Sequence, residues 1–423
     1  MNTSPLARRS SVVAAIAALL LFGAGSYGRA QSGNEFAQAG FAAKERRDYP
    51  RAIQLFTEAL RIGNFPADQR GFLLYSRGVA LEGLGIRDRA LVDLDAAIAL
   101  LPSFPNSYIY RALIWTDRQE YDRAIEDLLQ ASRLNPSDPM VFNNLGGVYE
   151  NKREFEKAIA SYNQALKLSP NYADAYYNRA HAYLIQKDFD RALADYDQTI
   201  WLNPNFANAY GNRGALYLMR GDSEKAIADF DKAIQLTPRD ATFRNNRANA
   251  YLTLEKYDRA LSDFDQALQL DPGNVGTYLG RGRARLFAGN SEASAEDFQT
   301  AVRLRPSNPY PVIWLHIARV HRGESDEAEL ATNAARVNRG KWPTNLLDLY
   351  LRKSEIGEVR ASASAGDPKE ACEADFFIVE FQYHVRQVSE KDARELLEAI
   401  AARCRAHDVV FSGAKAELRL LAR

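Results

Sequence analysis

The chain has 423 residues, 26% of them charged and 46% hydrophobic, with 54 Lys and Arg against 54 Asp and Glu. That composition describes a large folded chain, not a disordered or fibrous one. A formal charge of zero argues against nucleic acid as the main partner, because such binding needs a basic face.

Residues 1–30 read as a secretory signal peptide. Arg8 and Arg9 give a positive start, Val12 to Ala24 is an apolar run too short to span a bilayer, and Gly28-Arg29-Ala30 is a small-x-small cleavage site before Gln31. A twin-arginine reading is disfavoured because Ser10 and Ser11 follow the pair, and no nearby cysteine offers itself for lipid attachment. Loss of Arg8, Arg9 and Arg29 with no acid takes the charge from 0 to about −3, too little for strong electrostatic steering. The expected location is periplasmic or secreted, with no transmembrane span in the mature chain.

From residue 34 to residue 308 a unit repeats eight times. Prolines stand 34 apart at Pro102, Pro136, Pro170, Pro204, Pro238, Pro272 and Pro306. Small residues recur in one slot (Gly78, Ala112, Gly146, Ala180, Gly214, Ala248, Gly282) and in a second (Ala90, Ala124, Ala158, Ala192, Ala226, Ala260, with Ser294). Aromatics recur at Tyr162, Tyr196, Phe230, Phe264 and Phe298, and a degenerate first copy keeps Gly40 and Ala52 after allowing for a four-residue insertion near Asn64. A fixed period of this length means stacked helical units, none of which can bury its apolar face alone. Gly or Ala at a crossing lets two helices approach closely, and the proline ends the second helix.

These residues resemble the tetratricopeptide repeat. The resemblance implies an all-α, right-handed superhelical solenoid of helix–turn–helix units, closed by a helical C-terminal cap. It also implies a protein that binds other proteins in a concave groove lined by the first helix of each unit.

Two further slots are periodic. Arg77, Arg111, Arg179, Arg213, Arg247 and Arg281 are each followed sixteen residues later by Asp93, Asp127, Asp195, Asp229, Asp263 and Asp297. Where one is missing, so is the other: Leu145 goes with Ser161, and Ala39 with Leu55. This pairing predicts a partly buried ion pair between the two helices of a unit, rather than solvated surface charges. Just before the arginine slot stand Asn144, Asn178, Asn212 and Asn246. An amide can both donate to and accept from a passing main chain. Units about 10 Å apart would meet every third residue of a strand rising about 3.3 Å per residue. The predicted peptide groove adds Tyr110, Tyr177, His181, Leu184, Met219, Leu252 and Phe287 as apolar contacts. The competing reading is that the asparagines only bond neighbouring helices.

After Pro306 the period decays. Residues 309–338 read as a degenerate helical repeat, with one helix opening at Pro309 and its partner between Glu324 and Val337. Residues 339–423 read as a helical cap containing a further repeat-like hairpin. In it a helix at Trp342 to Leu351 precedes a polar Ala/Ser/Gly loop from Ala361 to Asp367, a Glu-x-x-Phe-Phe helix, and a last helix at about Ser412 to Leu421 that covers the end of the stack. This part resembles the C-terminal region of the periplasmic adaptor lipoprotein NlpI and related bacterial tetratricopeptide proteins, though without the N-terminal cysteine they acylate. That resemblance implies a non-enzymatic envelope scaffold that docks hydrolases, proteases or synthesis enzymes, often as a homodimer. Cys372 should open one helix and Cys404 close the next, which permits a disulfide suited to an oxidising compartment or two separate buried thiols.

No phosphate loop, nucleophile elbow or His-Glu-x-x-His is present. His181, His316, His321, His384 and His407 are scattered, and a spacing of five puts His316 and His321 on different helix faces. Neither catalytic residues, nor a metal site, nor a cofactor is expected. The functional expectation is an exported scaffold holding extended protein segments. The alternative is a self-associating structural subunit of an envelope assembly with an empty groove.

Overall fold

The structure is a computed structural model that describes residues 28–385, 387–404 and 409–422. The expected signal peptide, up to residue 27, and His407 lie outside the described residues. Among the described residues there are 23 α-helices and no strand, and no helix is long and apolar enough to cross a membrane.

The chain forms two compact units that divide after Leu202. In the first, five helix pairs follow one another: α1 (Gly28–Glu45) with α2 (Tyr49–Ile62), α3 (Ala67–Gly83) with α4 (Arg87–Leu100), α5 (Pro105–Asp117) with α6 (Tyr121–Leu134), α7 (Pro139–Asn151) with α8 (Phe155–Leu168), and α9 (Ala173–Ile185) with α10 (Phe189–Leu202). The second begins with three more pairs: α11 (Ala207–Met219) with α12 (Ser223–Leu236), α13 (Ala241–Thr253) with α14 (Tyr257–Leu270), and α15 (Val275–Phe287) with α16 (Ser291–Leu304). The first and second members of each pair are called helix A and helix B below.

Local chemistry sets the ends of these helices. Asp138 and Asp240 accept the amides of Met140 and Thr242, at 2.9 and 2.8 Å, and so cap α7 and α13. Each A helix is followed by a residue with positive φ. Gly fills that slot at Gly85, Gly221 and Gly289, but Gln119, Arg153, Lys187 and Glu255 hold the same left-handed conformation without being glycine.

Packing then explains the period. Ala90, Ala124, Ala158, Ala192, Ala226 and Ala260 are fully buried, as is Ser294. A Cβ built on Gly146 would lie 2.5 Å from the Tyr162 ring, and one on Gly282 would lie 2.5 Å from Phe298. The aromatic of helix B therefore occupies the space that a side chain of helix A would need.

Seven helices complete the second unit: α17 (Pro309–Val320), α18 (Glu327–Ala334), α19 (Thr344–Tyr350), α20 (Ile356–Ser364), α21 (Pro368–His384), α22 (Glu390–Arg403) and α23 (Val409–Leu420). The loop expected from Ala361 to Asp367 is instead helical through Ser364, because Val359 and Ala363, four residues apart, are buried on one face of α20. Trp314 lies at the centre of this unit's core, with its ring centroid 5.3 Å from Phe377 and 6.0 Å from Phe287, Phe298 and Phe376.

The last helix does not simply close the end of the stack, as the sequence suggested. It lies on α13 and α15, two A helices, as well as on α21 and α22. Val410 and Ala414 share one hydrophobic cluster with Leu252 and Phe287. Lys415 and Arg419 pair with Glu255, and Arg419 donates to the Tyr257 hydroxyl.

Candidate functional site

The six arginines of the periodic slot all reach the aspartate sixteen residues on, with two guanidinium nitrogens on two carboxylate oxygens. For Arg77 and Asp93 both bonds are 2.7 Å; for Arg247 and Asp263 they are 2.7 and 2.6 Å. This fork geometry makes the bond bidentate. A feature absent from the sequence reading is the third nitrogen, Nη1. It reaches the residue sixteen places upstream, on helix B of the preceding repeat: Asp95 for Arg111 at 2.6 Å, and Asn163, Asp231 and Asp265 for Arg179, Arg247 and Arg281 at 2.5 Å each. Arg77 donates to Thr57 Oγ1 instead, in keeping with the four-residue insertion. Asp263, through its hydrogen bond, raises the Arg247 guanidinium above its ordinary value; burial opposes this and Asp231 adds to it.

The asparagine slot is not uniform. Asn144 is only 3% exposed, and neither its oxygen nor its nitrogen has a hydrogen-bond partner. It does not line an open surface, contrary to expectation, because α7 packs this position inward with Asn143 and Leu145. Asn178 is half-buried and donates to Asn143 Oδ1 at 3.0 Å. Asn212 is half-buried, as is Asn246, which receives a long bond of 3.4 Å from Asn245.

The apolar residues expected around the asparagines divide in two. Tyr110, Tyr177 and Leu184 are half-buried in the first unit, with Tyr110 5.7 Å from the Tyr75 ring and Tyr177 6.0 Å from Tyr196. His181 Nδ1 stands 2.5 Å from Glu150 Oε1, and the other Glu150 oxygen accepts from the Tyr162 hydroxyl at 3.0 Å. The hydrogen bond to Glu150 raises the His181 pKa, with burial opposing. Met219 in the second unit is 49% exposed. Leu252 and Phe287 correct the expectation: at 4% and 3% exposed they are core residues, closed in by α23. Arg283, on the same helix as Phe287, is half-buried near Glu373 of α21, and its loss of solvent lowers its guanidinium to about 10.

Cys372 and Cys404 form a disulfide, with Cα atoms 6.0 Å apart. Cys372 lies within the first turns of α21 and Cys404 caps α22.

A second polar cluster was not foreseen. His321, at the end of α17, meets Glu380 and His384 of α21 and Glu417 of α23. His321 Nε2 is 3.3 Å from Glu380 Oε2 and 3.6 Å from Glu417 Oε1, and His384 Nε2 is 3.5 Å from that same Glu380 oxygen. Burial works against the Glu380 charge, but His321 and His384 outweigh it and hold the carboxyl at about 2. Burial would likewise lower His321, yet Glu380 and Glu417 hold it up to about 9. Burial pushes Glu417 up to about 8, helped by the Glu380 charge. Only the spacing of Glu380 and His384, one helical turn apart, was visible in the sequence.

Family models place this geometry. Models of the tetratricopeptide repeat match residues 112–152 and 154–186, 181–250, and 241–274. Residues 112–274 are tetratricopeptide repeats. The Arg–Asp pairing recurs outside the matched residues, at Arg77 with Asp93 and at Arg281 with Asp297.

Solved structures are similar in part. A repeat protein from Parabacteroides merdae is 23% identical over 59% of this chain and 99% of its own, with a TM-score of 0.46. Pseudomonas aeruginosa pilF is 20% identical over 49% and 94%, with a TM-score of 0.45. YrrB, described as a TPR protein with an unusual peptide-binding site, is 21% identical over 44% and 97%, with a TM-score of 0.40. No curated protein matches the chain.

Proposed function

We propose that the protein is a non-enzymatic scaffold that holds extended segments of other proteins on its A helices. One comparison within the chain carries this reading. Ile185, Met219 and Phe287 occupy the same slot of three A helices, two periods separating the last two. Phe287 is covered by the chain's own α23, whereas Ile185 is 41% exposed and Met219 49%. An A-helix face that accepts a polypeptide at one repeat has the same apolar slot open at others. Concave faces of repeat proteins are commonly used in this way. Half-buried Asn178 and Tyr177, with His181 beside them, supply polar and aromatic contacts on α9.

The finer reading is an exported, periplasmic adaptor that organises envelope hydrolases or proteases. The expected signal peptide, the disulfide and the resemblance of the C-terminal helices support it.

Selection of short unstructured peptides on the chain starting at Gln31 tests the binding role. Peptides retained by the wild type should be lost by the Asn178→Ala, Ile185→Asp variant at an unchanged melting temperature. Peptides that bind both proteins alike would overturn the assignment of this face. A second reading, self-association through a structural surface, is favoured by Trp201, a large apolar side chain left mostly exposed at the end of α10. Light scattering would support that reading if a dimer formed and Trp201→Glu dissolved it.

A further inference from the structure

We propose that His321, Glu380 and His384, with Glu417 as a further carboxylate, form a binding site for one divalent transition-metal ion. Four observations carry this assignment. The residues come from three separate helices: His321 and His384 converge on the Glu380 Oε2 atom, and Glu417 reaches His321 at 3.6 Å. The distances from Glu380 Oε2, 3.3 Å to His321 and 3.5 Å to His384, match the edge of a tetrahedron around an ion with bonds of about 2.0–2.1 Å, which is roughly 3.3 Å. The ligand atoms of His321, Glu380 and His384 all lie within 4.8 Å of one another, so only a small closing movement is needed. The Nε2 of His384 is buried and, beyond its loose 3.5 Å approach to Glu380, makes no hydrogen bond, and an imidazole nitrogen in that state can offer its lone pair to a cation.

Glu380 and His384 also line a cavity of about 300 Å³, together with His316, Asp326, Tyr350 and Phe381. The cavity gives an ion a route in and leaves room for water as a remaining ligand. His316 faces the same cavity but is engaged with Asp326 at 2.8 Å, which sets it outside the ligand set.

The donor chemistry selects the ion. Two imidazoles with carboxylates suit zinc or a similar first-row ion, whereas calcium and magnesium prefer all-oxygen shells. Two carboxylates would balance the charge of a divalent ion. Because Glu417 belongs to α23, an ion held here would tie the end of α17, α21 and the last helix together.

The test is titration of the full chain from Gln31 with zinc in a calorimeter, and with cobalt(II) followed by visible absorption. One zinc ion per chain should bind, raise the melting temperature and be removed by EDTA, and cobalt should give the intense visible bands of a low-coordinate site. His384→Ala, in the cavity lining, should weaken zinc binding about tenfold or more and abolish the bands while circular dichroism stays native. His321→Gln should do the same, and His316→Ala should bind as the wild type does. The proposal is overturned if the folded wild type shows no saturable zinc binding, if His384→Ala binds undiminished, or if His316→Ala loses binding as fully as His384→Ala.

Discussion

Arg247 on α13 grips Asp263 on α14 with two nitrogens and Asp231 on α12 with a third, so one guanidinium joins three helices of two successive repeats. Asp263 is buried, and a buried carboxylate left without its cation costs roughly 3–5 kcal/mol. Arg247→Leu should therefore destabilise by about 3 kcal/mol in this range. The chain contains its own neutral version of the triplet, Leu129, Leu145 and Ser161, spaced sixteen apart. Combining Arg247→Leu with Asp231→Leu and Asp263→Ser should recover most of the loss. Urea midpoints for the transition that includes α13 and α14, located by hydrogen exchange, would decide. If the triple variant is as unstable as the single, the charges do not act as a unit.

Two neighbouring glycines on α7 should respond oppositely to alanine. A Cβ on Gly146 meets the Tyr162 ring at 2.5 Å, while one on Gly147 has only the Tyr162 hydroxyl at 3.9 Å. Gly146→Ala should lose about 1–3 kcal/mol through overpacking. Gly147→Ala should gain about 0.5–1 kcal/mol from helix propensity. Melting temperatures of the two variants would check this, and a neutral Gly146→Ala would show that the crossing can relax.

The His181–Glu150 pair predicts a pH dependence confined to the first unit. The folded pKa of His181 is raised above its unfolded value by Glu150, so the folded state holds the proton more tightly. Its contribution is fully present below the unfolded value of about 6.5 and disappears as pH rises through the folded one. His181 is half-exposed, so the effect is small, roughly 0.5 kcal/mol. The stability difference between wild type and His181→Asn should be largest near pH 5.5 and shrink at alkaline pH. A gap that widens with pH would contradict the assigned sign.

The Cys372–Cys404 bridge spans 32 residues, and closing a loop of that size contributes about 3–4 kcal/mol. Replacing both cysteines by serine should raise hydrogen exchange in α21 and α22 and leave α7 and α8 unchanged. Uniform loosening of both units would mean that the bridge does not act locally.

How much of this was legible in the sequence follows from where each interaction lies. The slots of Ala192, Asp195 and Tyr196 recur through most periods because each repeat packs against the next in the same way, so one slot reveals its counterpart even where, as at Leu145 and Ser161, both members change together. The Nη1 bond from Arg111 to Asp95 is harder to read, because the slot of Asp95 also holds Leu129 and Asn163 and so lacks a uniform charge. The tail is different. Tyr257 and Arg419 are 162 residues apart, and His321 lies 59 residues from Glu380. No period connects such pairs, so neither the burial of Leu252 and Phe287 nor the histidine cluster could be read from local pattern.

The contact of α23 with the repeats gives the last prediction. Glu255 follows α13 in the left-handed conformation and receives both Lys415 and Arg419, while beneath them Leu252 and Phe287 pack with Val410 and Ala414. Apolar burial holds the helix down at roughly 25 cal/mol per Å², and the partly exposed ion pairs add little, about 1 kcal/mol or less each. Removing the acid alone, as in Glu255→Gln, should leave α23 in place. Reversing it, as in Glu255→Lys, sets three cations together and should loosen the helix. Hydrogen exchange in α23 and binding of a fluorescent apolar dye should then rise together, as Leu252 and Phe287 become exposed like Met219. If Glu255→Lys leaves both signals unchanged, the apolar contact alone fixes the tail and the charges are incidental. If Glu255→Gln already releases it, the ion pairs carry more than exposed pairs ordinarily do.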